Sequence, residues 1–297
     1  MILSNRNMKP MKLVSCFVRS FASQKDEVLK KRQEELMKRG LPQRKSIPGV
    51  KNVILVSSGK GGVGKSTVAV NLAIALSSLD KTKKVSLLDA DIFGPSIPIM
   101  MNLAESPLLD DHDKMIPLTN YGVHCMSMGL LVKPESAVVW RGPMVMGALN
   151  KLLFSTNWAD TDYLIVDTPP GTGDIHLSLA QTVTLSGAVL VSTPQRVALA
   201  DVRKGADMYR KMQVEVLGLV QNMSSFVCGH CGETTHMFGQ DGARRMAESL
   251  GVPLLGDIPL DPNIMTGADS GVPVMVSHPH STAAQAYLDI AKKIYQC

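Results

Sequence analysis

Asn52-Val53-Ile54-Leu55-Val56-Ser57 runs through Ser58 into Gly59-Lys60-Gly61-Gly62-Val63-Gly64-Lys65-Ser66-Thr67, and apolar residues resume at Val68-Ala69-Val70. A β-branched run, a glycine-rich turn and a stretch of helical composition read as strand, loop and helix. The spacing Gly59-x4-Gly64-Lys65-Ser66 satisfies the phosphate-loop pattern. Glycines let backbone N–H groups turn inward onto phosphate oxygens, and the following helix points its positive end at them. Lys65 is placed to neutralise the β- and γ-phosphates, and the Ser66 hydroxyl to ligate Mg²⁺. Residues 59–67 are therefore expected to hold a nucleotide. A bare glycine turn would leave Lys60 and Lys65 with nothing to neutralise.

Outward from this loop, strands and helices alternate. Strands are predicted at 52–57, 84–88 (KVSLL), 162–166 (DYLIV), 187–192 (GAVLVS), 214–220 and 252–258. Helices are predicted at 65–79, 143–154, 174–183, 197–212, 240–250 and 283–295. Continuous apolar strands separated by helices imply a mostly parallel α/β sheet covered on both faces. Such sheets bind ligands at the carboxyl ends of their strands, where Asp89-Ala90-Asp91, Asp167 to Gly171 and Asn222 all fall. Asp174 is placed to cap the helix that follows it.

Lys60, directly after the first glycine, resembles the signature lysine of the deviant phosphate-loop ATPases, the MinD, ParA, ArsA and nitrogenase iron protein class (SIMIBI type). The resemblance implies a homodimer in which Lys60 reaches the partner's nucleotide. It also implies that Asp91 orients the attacking water and that Asp89 lies near the magnesium. Asp167 would be the magnesium-side acid, and the N–H of Gly171 would sense the γ-phosphate. No Asn-Lys-x-Asp guanine motif occurs, Asn222 resembles the adenine-contacting asparagine of the class, and 259–262 (PLDP) resembles the other wall of that pocket. ATP is the expected nucleotide, with Lys60, Lys65 and Asp91 as the catalytic set.

Cys228-Gly229-His230-Cys231 follows Asn222. Two thiolates at this spacing can grip one metal ion or one edge of a cluster. A half-zinc site would recruit His230 or His236, although the spacing to them is short for a usual finger. A redox dithiol is a second reading, and a [4Fe-4S] cluster shared by two chains is a third. GKGGVGKST, DADIFGPSIP, WRGPM (140–144), DTPPGTGD, TPQ (193–195) and QNMS followed by C-x2-C resemble the Mrp-type iron–sulfur carrier ATPases over roughly residues 49–295. The resemblance favours the third reading, with Cys228 and Cys231 as cluster ligands on the dimer axis. Relatives in the cytosol carry an additional N-terminal four-cysteine segment that this chain lacks, which favours transfer over stable cluster storage. Together with the basic N-terminal segment, the stretch MSMGLLV (126–132) is most similar to the mitochondrial branch that serves respiratory complex I assembly. Apo iron–sulfur subunits of that complex are the partners so implied, with slow ATP hydrolysis gating the cluster. Two rivals from other classes remain, a MinD/ParA-like positioning ATPase and an ATP-dependent reductase like the nitrogenase iron protein.

The chain of 297 residues has a formal net charge of +5. Arg6, Lys9, Lys12 and Arg19 supply four of those charges within residues 1–21, which contain no acid. The remainder is close to neutral, and at 4 % aromatics it lacks stacking platforms, so a nucleic-acid partner gains no support. Residues 1–21 resemble a mitochondrial presequence, with a processing-type site around Arg19 to Ser23, and imply the matrix. Residues 22–48 read as a polar helix (25–39) and linker, and 49–297 as the ATPase domain. No apolar run reaches the length of a membrane span, so any contact with the inner membrane is peripheral. Cys125 and Cys297 are expected to be a packing residue and a frayed end.

Overall fold

The computed structural model describes residues 44–132 and 142–296. The segment 1–21 expected to be a presequence, the helix expected at 25–39, Trp140 and Cys297 lie outside the described residues. The folded unit starts slightly earlier than the expected boundary at residue 49. Lys45 bridges to Val183, and Ile47 is buried in the core, so residues 44–48 belong to the fold.

Ten strands are described: β1 (Val50–Ser57), β2 (Val85–Asp89), β3 (Leu118–Asn120), β4 (Val123–Ser127), β5 (Thr161–Asp167), β6 (Gly187–Ser192), β7 (Val216–Gln221), β8 (Phe226–Val227), β9 (Thr234–Thr235) and β10 (Leu254–Asp257). The helices are α1 (Lys65–Leu79), α2 (Ile97–Met100), α3 (Gly142–Phe154), α4 (Asp174–Thr182), α5 (Arg196–Lys211), α6 (Gly242–Leu250), α7 (Pro262–Asp269), α8 (Val274–Ser277) and α9 (Thr282–Tyr295). Eight strands form one sheet in the order β10-β7-β6-β1-β5-β2-β4-β3, and β8 pairs with β9 as a separate hairpin. Within the large sheet only the β3–β4 pair is antiparallel.

The apolar strands are explained by two cores. One, on the α1 and α9 side, gathers Ile54, Val56, Leu72, Leu76, Leu87, Val189 and Tyr287. The other, on the α3 to α6 side, gathers Val53, Leu55, Leu88, Leu152, Trp158, Val166 and Leu190. Neighbouring residues of β1 thus point into opposite cores, so alternation gives no polar face. Each such leucine or isoleucine contributes about 1.5–3 kcal/mol through burial. Helix α1 is apolar nearly all round because it is sandwiched between the sheet and α9.

The expected strands and helices stand within two residues of the observed ends. The β3–β4 hairpin was not anticipated, because its strands are short and Val123-His124-Cys125-Met126-Ser127 carries a half-buried histidine inside a sheet position. Helix α7 was also missed, although Asp261 and Pro262 form a legible start: the Asp261 carboxylate accepts from the Asn263 N–H at 2.9 Å. No helix among the described residues is long and apolar enough to cross a membrane.

Candidate functional site

The loop between β1 and α1 sits at the carboxyl end of the sheet, as the strand–loop–helix reading requires. Gly62 and Gly64 have φ of +80° and +82°, a region that side chains disfavour. A Cβ on Gly64 would lie 2.2 Å from Asn222 Nδ2, and one on Gly59 would lie 2.5 Å from the Asp201 carbonyl carbon. Glycine is therefore required twice, for torsion and for space. Gly64 is the cap residue of helix α1, which has no side-chain cap and no acid in its first turn. Its first N–H groups are left without a side-chain partner, which is the arrangement that receives a phosphate.

Behind the loop lies a buried charge cluster. Lys65, 6 % exposed, forms an ion pair with fully buried Asp167 at the end of β5 and donates to Ser66 Oγ at 3.1 Å. Among the described residues Asp167 Oδ2 has no hydrogen-bond partner. Burial pushes the Asp167 carboxyl up, and the Lys65 ammonium and the Ser66 hydroxyl oppose that shift. The orphaned oxygen beside a serine hydroxyl is a donor set suited to a hard cation such as Mg²⁺. ATP and Mg²⁺ thus fit the residues present: Lys65 and the loop amides would hold the phosphates, with Ser66 and Asp167 at the metal.

Asp89, ending β2, is buried next to this cluster. It accepts from Ser127 Oγ at 3.0 Å, from the Ile97 N–H at 3.3 Å and from the Asp91 N–H at 3.1 Å. Burial, and then the Asp167 carboxylate, push its carboxyl up to about 7. Folded protein therefore retains a proton that unfolded chain has lost. The associated stability is fully present below the unfolded value near 4 and disappears as pH rises through about 7. Relative to wild type, Asp89→Asn should gain about 4 kcal/mol between roughly pH 4 and pH 8 in nucleotide-free protein. Urea unfolding across that range checks it, and parallel pH profiles would refute it.

Asp91 is half-buried and opens onto a cavity of about 910 Å³ with Phe93, Pro143, Met146, Pro169, Pro170 and Asp174 on its walls. Lys60 is exposed at the loop tip, and its carbonyl accepts from Ser58 Oγ at 3.0 Å. The Gly171 N–H donates to the Ser58 carbonyl at 2.8 Å, which ties this turn to the residue that precedes the phosphate loop. One expectation needs correction. Asp174 is the first residue of α4 and makes no cap, since Gly173 occupies the cap position.

A second cavity, about 430 Å³, opens beside Gly64, Ser66 and Thr67. Asn222, Pro259, Leu260 and Asp261 line it as expected, but so do Ile264, Met265 and Ala268 of α7 and Met100 of α2. Asn222 donates one Nδ2 hydrogen to the Val63 carbonyl at 2.8 Å, which leaves its second Nδ2 hydrogen and its Oδ1 for a base. Oδ1 is an acceptor, which suits an exocyclic amine such as that of adenine.

Cys228 and Cys231 occupy the turn joining β8 to β9. The Cys228 N–H donates to the Glu233 carbonyl at 2.9 Å, and the Gly232 N–H, at φ +72°, returns to the Cys228 carbonyl at 2.8 Å. N–H groups of Cys231 and then His230, with the Cys231 thiol, hold the Cys228 pKa below its ordinary value. A thiol whose pKa is held down in this way is suited to metal ligation. His236 Nδ1 lies 3.2 Å from the Ser224 carbonyl. Among the described residues no group of three or more His, Cys, Asp or Glu side chains could hold a metal ion. Cys125 is fully buried in β4 and burial drives its thiol pKa up.

The family model for the ParA-type NUBPL iron-transfer P-loop NTPases matches residues 49–295. This chain belongs to that family. Among NUBPL-type relatives, the mouse iron–sulfur cluster transfer protein NUBPL is 55 % identical over 276 residues, 93 % of this chain and 86 % of the mouse protein. An Arabidopsis thaliana iron–sulfur protein required for NADH dehydrogenase, mitochondrial, is 56 % identical over 83 % of this chain and 78 % of that one. A nucleotide-binding protein from Archaeoglobus fulgidus, solved with ADP, superposes with a TM-score of 0.67 at 36 % identity, covering 76 % of this chain and 88 % of its own. The mostly parallel sheet and its phosphate loop are those of this P-loop NTPase family.

Proposed function

We propose that this chain is an ATP-binding iron–sulfur carrier whose cargo is a [4Fe-4S] cluster for the apo subunits of respiratory complex I. The observation that carries this reading is the cysteine hairpin. It offers two thiols, one already biased toward thiolate, with no third ligand assembled beside them among the described residues. A [4Fe-4S] cluster usually takes four thiolates. A two-fold axis supplies four by bringing the same hairpin from two copies together. The names of the mouse and Arabidopsis relatives support cluster transfer and the complex I destination. Anaerobic reconstitution with iron and sulfide, followed by transfer to an apo iron–sulfur acceptor, tests the function. Retention of one zinc per chain, with no cluster formed, would overturn it.

ATP with Mg²⁺ would occupy the cradle of residues 59–67, Lys60 would reach the nucleotide of the second copy, and Asp91 would orient the attacking water. Asp91→Ala should keep ATP affinity within about twofold and reduce turnover roughly a hundredfold or more, as removal of a general base does. Unchanged turnover in that variant would move the role elsewhere. The matrix is the proposed compartment, resting on the basic, acid-free residues 1–21. Residues 1–25 fused to a fluorescent protein should be imported in a potential-dependent manner; a diffuse cytosolic signal would exclude it.

A further inference from the structure

His176, on the first turn of α4, is 1 % exposed and belongs to none of the groups assigned above. Both of its ring nitrogens are engaged. Nε2 lies 3.0 Å from the Pro169 carbonyl, and Nδ1 lies 2.9 Å from the Tyr209 hydroxyl on α5. A carbonyl only accepts, so Nε2 carries the proton and Nδ1 accepts from the phenol. The two rings also meet edge-on, with centroids 6.2 Å apart. Tyr209 is fully buried, and the side chain of Ser57, the last residue of β1, reaches the same phenol. Burial holds the imidazole pKa down to about 4, so the ring stays neutral in this arrangement.

The Pro169 carbonyl sits in the turn that follows Asp167. Pro169 and Pro170 have no amide hydrogens, so that turn cannot be fastened at its middle by its own N–H groups. Its two ends are tied to the β1 side: the Thr168 N–H and Oγ1 both bond the Val56 carbonyl, and the Gly171 N–H bonds Ser58. Between those ties, His176 supplies a tether from the side of α4 and α5.

We infer that His176 is a positioning residue which, through the Pro169 carbonyl, holds the 167–171 turn in register with the phosphate loop. Tyr209 fixes the tautomer that makes this bond. The partner of Lys65, the Asp167 carboxylate, stands two residues before the tethered carbonyl, and displacements near 1 Å in such a site cost rate far more than affinity. For its rate readout the inference rests on the ATPase reading; amide exchange tests it without that reading.

His176→Phe keeps the ring and removes both hydrogen bonds, whereas His176→Gln keeps an N–H donor at the Nε2 position. In His176→Phe, kcat at saturating ATP should fall roughly tenfold or more, with the ADP Kd within about twofold. Amide exchange at 171–174 should quicken by roughly tenfold while the β1 and β5 amides stay protected. His176→Gln should restore most of both, and Tyr209→Phe should shift both in the direction of His176→Phe by a smaller factor. If His176→Phe does not fold, Tyr209→Phe and His176→Gln carry the same comparison. Wild-type exchange at 171–174 in both His176→Phe and Tyr209→Phe would overturn the inference. So would equal loss of ADP binding in the Phe and Gln variants, which would make His176 a packing residue. Absence of turnover in wild-type protein would count against the ATPase reading instead, leaving the exchange comparison to decide the tether.

Discussion

Cys228→Ala or Cys231→Ala should strip the reconstituted cluster completely, and with it the cluster-bridged dimer, while ATP binding survives. Each hairpin brings two thiols, and losing one per chain leaves two where four are needed. The wild-type protein should bind about four iron atoms per two chains, with the mass of a dimer. The hairpin fold itself should persist, because the β8–β9 pairing and the Cys228–Glu233 and Gly232–Cys228 bonds use backbone atoms. Cys125→Ala should retain the cluster, since that thiol is sealed in β4 and held protonated by burial. Iron analysis, absorbance and mass on the same samples check all three. One zinc per monomer, retained only when His236 is present, would instead make the hairpin a structural zinc site.

Lys65→Ala should weaken ATP binding by roughly a thousandfold or more, because it removes the fixed cation facing the β/γ-phosphates. The structure adds a cost that the motif alone does not show. Lys65 is the ion-pair partner of a fully buried Asp167 whose second oxygen is already orphaned. Breaking a buried pair from one side typically costs about 3–5 kcal/mol, some of which proton uptake by Asp167 will recover. Loss of binding therefore has to be separated from loss of fold. In the double variant Lys65→Ala with Asp167→Asn, position 167 no longer holds a carboxylate stripped of its ion-pair partner, so stability should recover while binding does not. Calorimetry showing wild-type ATP affinity in the folded double variant would sink the phosphate-site assignment.

The elements that carry the fold were legible where a single local rule dominated. β1 and α1 were readable because burial on two faces makes their middles continuously apolar, at 53–56 and 72–76, and the glycine pattern marks the junction. β3 and β4 were not, because β4 is held by its pairing with β2 and β3 by its pairing with β4, contacts that leave little periodicity in the chain itself. The charged site residues could be placed by motif, but not their present partners. Nothing local says that Gly171 bonds Ser58, or that Asn222 gives an amide hydrogen to Val63. His176 and Tyr209 were invisible for the same reason: they meet across 33 residues of chain, and a buried histidine looks in sequence like any other.

Cys228 on the hairpin stands only six positions along the chain from Asn222, which is bonded to the phosphate loop. Even fully extended, that segment spans roughly 20 Å. A paramagnetic cluster on the hairpin would therefore act as a built-in spin probe of the nucleotide. Phosphorus relaxation of bound ADP should differ between the reduced cluster form and a diamagnetic one, and the size of the difference would measure the separation directly.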